Sequence, residues 1–253
     1  MKARVCVLCT DGTNCDYETA AAFDLVGAKS KRVHVNQLRD GQEDLEDYQI
    51  LALPGGFSYG DDVASGKILA LELLSFLGEQ LAKFVERQKP IIGICNGFQV
   101  LVRTGLLPFE TLGNMSATLM NNDSGRFECR WINLIVEDSP CIFTRGMEGE
   151  ISLQVAHGEG KFFAADKNLI RLEGRRLVAL RYSVLGQPTQ KFPANPNGSL
   201  NAVAGICSPS GLIFGLMPHP ERFVRAQQHP NWRRERIEPA GLPIFRNAVE
   251  FVS

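Results

Sequence analysis

Pro90-Ile91-Ile92-Gly93-Ile94-Cys95-Asn96-Gly97-Phe98-Gln99-Val100-Leu101-Val102-Arg103-Thr104 is the stretch whose reading decides the fold. Pro90 to Ile94 is an uninterrupted apolar run, and Phe98 to Thr104 carries a helical pattern. A strand apolar on both faces belongs in a parallel sheet covered by helices on both sides. Between strand and helix, Gly93 and Gly97 flank Cys95 two residues to either side. That spacing predicts a tight turn that lifts the Cys95 side chain to the carboxyl end of the sheet. It is the nucleophile-elbow arrangement, with sulfur in place of oxygen.

The same rhythm extends toward the amino terminus. Arg4 to Cys9 and Tyr48 to Leu53 read as buried strands, and Arg32 to Val35 as a short one. Tyr17 to Ala28 reads as a helix capped by Asn14 or Asp16, and Ala64 to Arg87 as one long helix. Toward the carboxyl terminus the pattern turns β-rich, with candidate strands at Arg126 to Val136, Glu150 to Ala156, Leu177 to Tyr182, Ala202 to Cys207 and Leu212 to Leu216. Ser208-Pro209-Ser210-Gly211 predicts a hairpin between the last two. Gly186 to Leu200 reads as a loop and Leu242 to Val252 as a closing helix. The expected class is α/β: a mostly parallel central sheet with helices on both faces and additional antiparallel strands, in one domain over residues 1–253.

Composition narrows the function. A net charge of −1 supplies no field for nucleic acid or anionic lipid, and no apolar run approaches the span of a bilayer. Seven irregularly spaced cysteines are no disulfide framework, and the start MKARVCVLCTDG is too short in apolar residues for a signal peptide, so a cytoplasmic chain with reduced thiols is expected. Cys6 and Cys9 have CxxC spacing, but residues three apart on a strand face opposite ways and no second ligand pair completes a site, so no metal is expected.

The chemistry is expected from three segments. The helix start behind Cys95 favours a thiolate and leaves the Asn96 amide aimed at an oxyanion. His219 lies in Gly215-Leu216-Met217-Pro218-His219-Pro220-Glu221, where Glu221 can hold the ring and the prolines stiffen the backbone. Pro54-Gly55-Gly56-Phe57-Ser58-Tyr59-Gly60-Asp61-Asp62 also follows a strand, and its glycines let backbone amides approach a ligand and complete an oxyanion hole. With three glycines between Gly55 and Gly60, this loop is also expected to be free to rest in an inactive shape. No Gly-x-x-x-x-Gly-Lys-[Ser/Thr] phosphate loop occurs.

PGGFSYGDD, GICNGFQ and MPHPE, in that order, resemble the class I glutamine amidotransferases. DGTNCDYET, NMSATLMNNDSGRFECRW and AHGEGKF narrow the resemblance to the family of glutaminase components of phosphoribosylformylglycinamidine synthase. It covers essentially the whole chain; one minor departure is Lys161, where the family often has arginine. The resemblance implies Cys95 as nucleophile, His219 as general base and acid, and Glu221 as its orienting partner. It implies an oxyanion hole from Gly56, Phe57 and Asn96, and a glutamine pocket from Gly55, Gln99, Arg126, Phe127 and the His157-Gly158 turn. It further implies no cofactor in this chain, with ATP and magnesium on a large synthase subunit, and a small accessory subunit beside it. Two other readings stand open at this point: a cysteine hydrolase of the same architecture, such as a peptidase or deglycase, and a non-catalytic interaction module. Surface contacts with partners are expected at Arg233 to Arg236 or at the DGTNCDYE loop.

Overall fold

The computed structural model describes residues 2–61 and 64–253; Asp62, which ends the PGGFSYGDD motif, lies outside them. The strands are β1 (Arg4–Cys9), β2 (Lys29–His34), β3 (Ile50–Leu53), β4 (Ile91–Ile94), β5 (Thr118–Asn121), β6 (Glu128–Val136), β7 (Glu150–His157), β8 (Glu159–Phe163), β9 (Val178–Val184), β10 (Gln187–Pro188), β11 (Val203–Cys207) and β12 (Ile213–Leu216). The helices are α1 (Asp16–Leu25), α2 (Val35–Arg39), α3 (Lys67–Phe76), α4 (Gly78–Glu86), α5 (Asn96–Arg103), α6 (Asp166–Gly174) and α7 (Leu242–Phe251).

Ten strands form one sheet in the order β2-β1-β3-β4-β12-β11-β9-β6-β7, with β10 on β9. β2, β1, β3, β4 and β12 run parallel; beyond β12 every pairing is antiparallel. The expected parallel sheet and its additional antiparallel strands are thus continuous. ILAL in β3, IIGI in β4 and IFGL in β12 are buried at every residue, as strands covered on both faces must be. The edge strand β2 instead exposes Lys29, Lys31 and Arg32, charges that discourage pairing with another chain. The hairpin across Ser208 to Gly211 forms as expected, with Gly205 opposite Leu216.

Several boundaries differ from the sequence reading. The long helix expected over Ala64 to Arg87 is two, broken at Leu77 (φ −116°, ψ 8°) just before Gly78. Leu69, Leu73, Leu77 and Leu81 are all buried at intervals of four, and such a row drifts around a helix of 3.6 residues per turn. The break turns the row back onto the core. Helix α1 is capped by Cys15 without a side-chain bond, not by Asn14 or Asp16. Asp16 instead pairs with Arg32 at 2.7 Å, and the Asn14 Oδ1 accepts from Cys15 Sγ at 3.2 Å. β2 is longer than expected because its backbone follows β1 residue for residue, from Arg4 with Lys29 to Cys9 with His34.

The two-stranded ribbon of β5 and β8 has no counterpart in the sequence reading. Within the Gly186 to Leu200 loop, Gln187 and Pro188 join the sheet, and Asn195, Asn197 and Ser199 are buried. Asn197 Nδ2 donates to Gly160 O (2.8 Å) and to Tyr182 Oη (2.9 Å), and Ser199 Oγ accepts from Phe162 N (2.9 Å). This polar loop therefore anchors β8, and with it the Gly158 to Gly160 turn. No helix among the described residues is long and apolar enough to cross a membrane.

Candidate active site

Three neighbouring parallel strands deliver the three expected segments to one place. β3 ends at Leu53 and runs into Pro54-Gly55-Gly56, β4 ends at Ile94 before Cys95, and β12 ends at Leu216 before Met217-Pro218-His219. Sites in open α/β sheets form at such carboxyl ends. Cys95 N donates to Leu216 O (2.8 Å), and His219 N donates to Gln154 O on β7 (2.8 Å), so both residues are fixed through backbone.

Cys95 has φ 50° and ψ −105°, a conformation that costs an L-residue about 1–3 kcal/mol and marks a strained elbow. Both flanking glycines are required by packing. A Cβ on Gly93 would lie 2.6 Å from Gly97 O, and one on Gly97 would lie 1.9 Å from Leu53 O. Their absence lets α5 start directly behind the sulfur, with the Asn96 amide at its free amino end.

The glycine-rich loop after β3 is tied to the 10–15 segment by backbone hydrogen bonds. Cys15 N donates to Gly55 O (3.2 Å), Phe57 N to Gly12 O (2.9 Å) and Tyr59 N to Asp11 O (2.8 Å). The 10–15 segment thus lies against it, so close that a Cβ on Gly56 would sit 2.7 Å from Asn14 N. The Phe57 amide, expected as an oxyanion donor, is already committed to Gly12. Because a trans peptide holds its C=O and N–H antiparallel, fixing the Gly55 carbonyl on Cys15 turns the Gly56 N–H the opposite way. Of the three amides expected to face an oxyanion, those of Gly56 and Asn96 lack that commitment.

His219 and Glu221 are both almost wholly buried, and His219 Nδ1 lies 2.5 Å from Glu221 Oε1. Burial opposes the imidazolium, but the charges of Glu221 and Cys95 outweigh it and raise His219 well above the usual imidazole range. The other ring nitrogen, Nε2, is buried with no hydrogen-bond partner among the described residues. The Cys95 thiol donates to Ala156 O at 3.7 Å. Cys15, which no local pattern marks, also approaches the ring. Cys15, His219 and Glu221 bring donor atoms within 4.8 Å of one another; a metal held there would occupy the imidazole.

The loop after β3 and the β8 turn border a cavity of about 450 Å³ lined by Phe57, Asp61, Ser65, Asn121, Gly125, Arg126, Phe127, Gly158 and Glu159. Arg126, Phe127 and Gly158 lie where the sequence reading expected pocket residues. Gln99 and His157 do not line it; both are buried and bonded elsewhere, with His157 Nε2 left without a partner among the described residues. Gln99 Nε2 donates to Glu159 O (2.5 Å) and its Oε1 accepts from Asn96 Nδ2 (3.1 Å). His157 Nδ1 is 3.1 Å from Asn122 Oδ1, and burial, helped by the nearby His219, lowers its pKa to about 3. Gly55, expected in the pocket, instead sits against Cys95 and His219, and its absent side chain leaves room for the His219 ring. Asp61 and Glu159 were not anticipated as site residues. Asp61 was visible only as part of the Gly-rich motif, and the position of Glu159 depends on the unforeseen β5–β8 ribbon.

A family model for the CobB/CobQ-like glutamine amidotransferase domain matches residues 2–252. The phosphoribosylformylglycinamidine synthase subunit PurQ of Dehalococcoides mccartyi is 47% identical, over 99% of this chain and 98% of its own length. The Treponema denticola subunit of the same name is 40% identical over the full length of both. Among solved structures, a chain of the PurLQS structure from Thermotoga maritima superposes with a TM-score of 0.78 at 34% identity, covering all of both chains. A glutamine amidotransferase of the same organism shares the fold alone, with a TM-score of 0.57 at 16% identity.

Proposed function

The chain belongs to the CobB/CobQ-like glutamine amidotransferase domain family, and from that premise we propose that Cys95, His219 and Glu221 are its catalytic triad. It is the glutaminase subunit of a phosphoribosylformylglycinamidine synthase. It supplies ammonia to a large synthase subunit, which makes formylglycinamidine ribonucleotide from formylglycinamide ribonucleotide in purine biosynthesis. On this reading residues 1–253 act as one glutaminase domain in the cytoplasm, and ATP and magnesium belong to the synthase subunit. A small accessory subunit completes the assembly.

The single observation that carries the catalytic reading is the convergence of a strained elbow cysteine with a buried His–Glu pair at the ends of adjacent strands. The Cys95 thiolate attacks the side-chain amide carbon of glutamine. The negative charge that develops on the carbonyl oxygen meets the amides of Gly56 and Asn96. His219, held through Nδ1 by Glu221, protonates the leaving nitrogen; ammonia departs and a γ-glutamyl thioester remains. The same imidazole then takes a proton from water, which attacks the thioester and releases glutamate. The neighbouring cavity suits a free amino acid: Asp61 and Glu159 face an α-ammonium, Arg126 an α-carboxylate. A peptidase or deglycase reading has no such support, and relatives matched end to end carry the synthase-subunit name.

A glutamine analogue bearing an alkylating group at the amide position should label Cys95 alone and abolish glutamine hydrolysis. Labelling of any other cysteine with Cys95 left free would overturn the assignment.

A further inference from the structure

Cys15 is a second thiol in the site that glutamine hydrolysis does not use. It is buried to 1% exposure at the cap of α1, and its backbone is tied to Gly55. Gly55 lies between it and the nucleophile. A Cβ on Gly55 would lie 3.3 Å from Cys15 Sγ, 3.4 Å from Cys95 Cβ and 2.8 Å from His219 Cε1. Because residue 55 is glycine, no side chain of its own separates the two cysteines, and both pack against it. Arg222 Nη2 donates to Cys15 Sγ at 3.2 Å, and Arg222 is itself anchored by Glu18 at 3.0 Å. Burial raises the pKa of the Cys15 thiol, and the His219 ring and the fixed Arg222 guanidinium offset part of that rise. Cys6 and Cys9 lie on β1, Cys129 on β6, Cys207 on β11, and Cys141 ahead of a short turn at Ile142–Thr144.

We propose that Cys15 is a resolving thiol for Cys95: it converts an oxidised nucleophile into a reversible Cys15–Cys95 disulfide. This rests on the reading of Cys95 as the nucleophile. A hydroperoxide, ROOH, transfers its terminal oxygen to the Cys95 thiolate. The O–O bond breaks, the S–O bond of a sulfenic acid forms, and the alkoxide takes a proton from the His219 imidazolium to leave as ROH. Cys15 then gives up its proton, with Arg222 and His219 beside the forming thiolate, and attacks the Cys95 sulfur. The S–S bond forms and the S–O bond breaks, and the hydroxide that leaves takes the Cys15 proton to become water. The peroxide gains the two electrons that the two sulfurs lose. The disulfide masks the nucleophile and keeps it from the irreversible sulfinic acid.

The test treats the full chain with limiting hydrogen peroxide and maps its peptides before and after dithiothreitol. The unaltered chain should yield a linked Cys15–Cys95 peptide, and its lost glutaminase activity should return on reduction. Cys15→Ser and Cys15→Ala should instead accumulate Cys95 sulfinic acid and regain at most about a tenth as much of their own starting activity. The proposal is overturned if Cys95 of the unaltered chain passes to sulfinic acid while Cys15 stays reduced, or if both variants recover as fully as the unaltered chain. Mass readout separates this failure from a deeper one. A Cys95 that accepts the alkylating glutamine analogue but never joins Cys15 defeats the pairing alone. A Cys95 that takes neither label nor oxygen defeats the nucleophile assignment as well.

Discussion

Gly55→Ala tests whether the imidazole position, and not merely its presence, sets the rate. The substitution is tolerable to the backbone, since Gly55 is not among the glycines with positive φ. Its Cβ would nevertheless stand 2.8 Å from His219 Cε1, against an ordinary carbon–carbon contact of about 3.5–4.0 Å. The ring must therefore retreat by roughly 1 Å, because the contacts on Cys15 and Cys95, at 3.3 and 3.4 Å, leave the methyl little room to yield. A misplacement of that size costs about 10²-fold in rate, or about 2.7 kcal/mol of transition-state stabilisation. The assay compares glutamine-dependent with ammonium-dependent amidine synthesis by the assembled enzyme. The first should fall about 10²-fold and the second should hold, because the ammonium reaction bypasses this site. A variant that keeps glutamine kcat/KM within about threefold of the parent would refute the geometric argument.

Three further outcomes follow from the same contacts. His219→Ala should slow both thioester formation and its hydrolysis by about 10²–10⁴, while Glu221→Gln, which orients but does not transfer the proton, should cost less; rapid-quench measurements finding Glu221→Gln as damaging as Cys95→Ala would contradict that division. Gly12→Ala should loosen the oxyanion loop, since at φ +86° its Cβ would fall 2.0 Å from Phe57 O; activity should drop, and urea unfolding should show a loss of about 1–3 kcal/mol, whereas a variant unchanged in both would show that the 10–15 segment does not hold the loop. His157, with a folded pKa of about 3, stays neutral while the unfolded imidazole titrates near 6.5, so its contribution to stability is full above about pH 6.5 and is lost as pH falls toward 3, by at most about 1.4 kcal/mol per unit. His157→Gln should flatten the pH dependence of the urea midpoint between about pH 4 and 6, and identical slopes in the two proteins would count against the assignment.

What was legible in the sequence was the part governed by local rules. The apolar runs of β1, β3, β4 and β12, the glycines around Cys95, and the His-Pro-Glu segment each carry their meaning within a few residues. The parallel order of those strands then brings the triad together with no further information. What escaped depends on partners distant in sequence. The β5–β8 ribbon pairs Thr118 with Phe163, and neither strand alternates apolar and polar residues strongly enough to stand out. The commitment of the Phe57 amide to Gly12 joins two glycine-rich loops that look equally free when read separately. Cys15 goes unmarked because nothing local places it beside an imidazole more than 200 residues away, although Arg222 Nη2 and the ring both meet its sulfur across that interval. Gln99 and His157, expected to line a glutamine pocket, are buried instead, with Gln99 Nε2 turned to Glu159 O and His157 Nδ1 to Asn122.

The central claim is that Cys95 releases ammonia here for chemistry done on another subunit. The most direct measurement assembles Cys95→Ala with its synthase and follows formylglycinamidine ribonucleotide formation from glutamine and from added ammonium in parallel. The account predicts no product from glutamine and an undiminished rate from ammonium. Continued use of glutamine, or loss of the ammonium reaction in a complex that remains assembled, would contradict it.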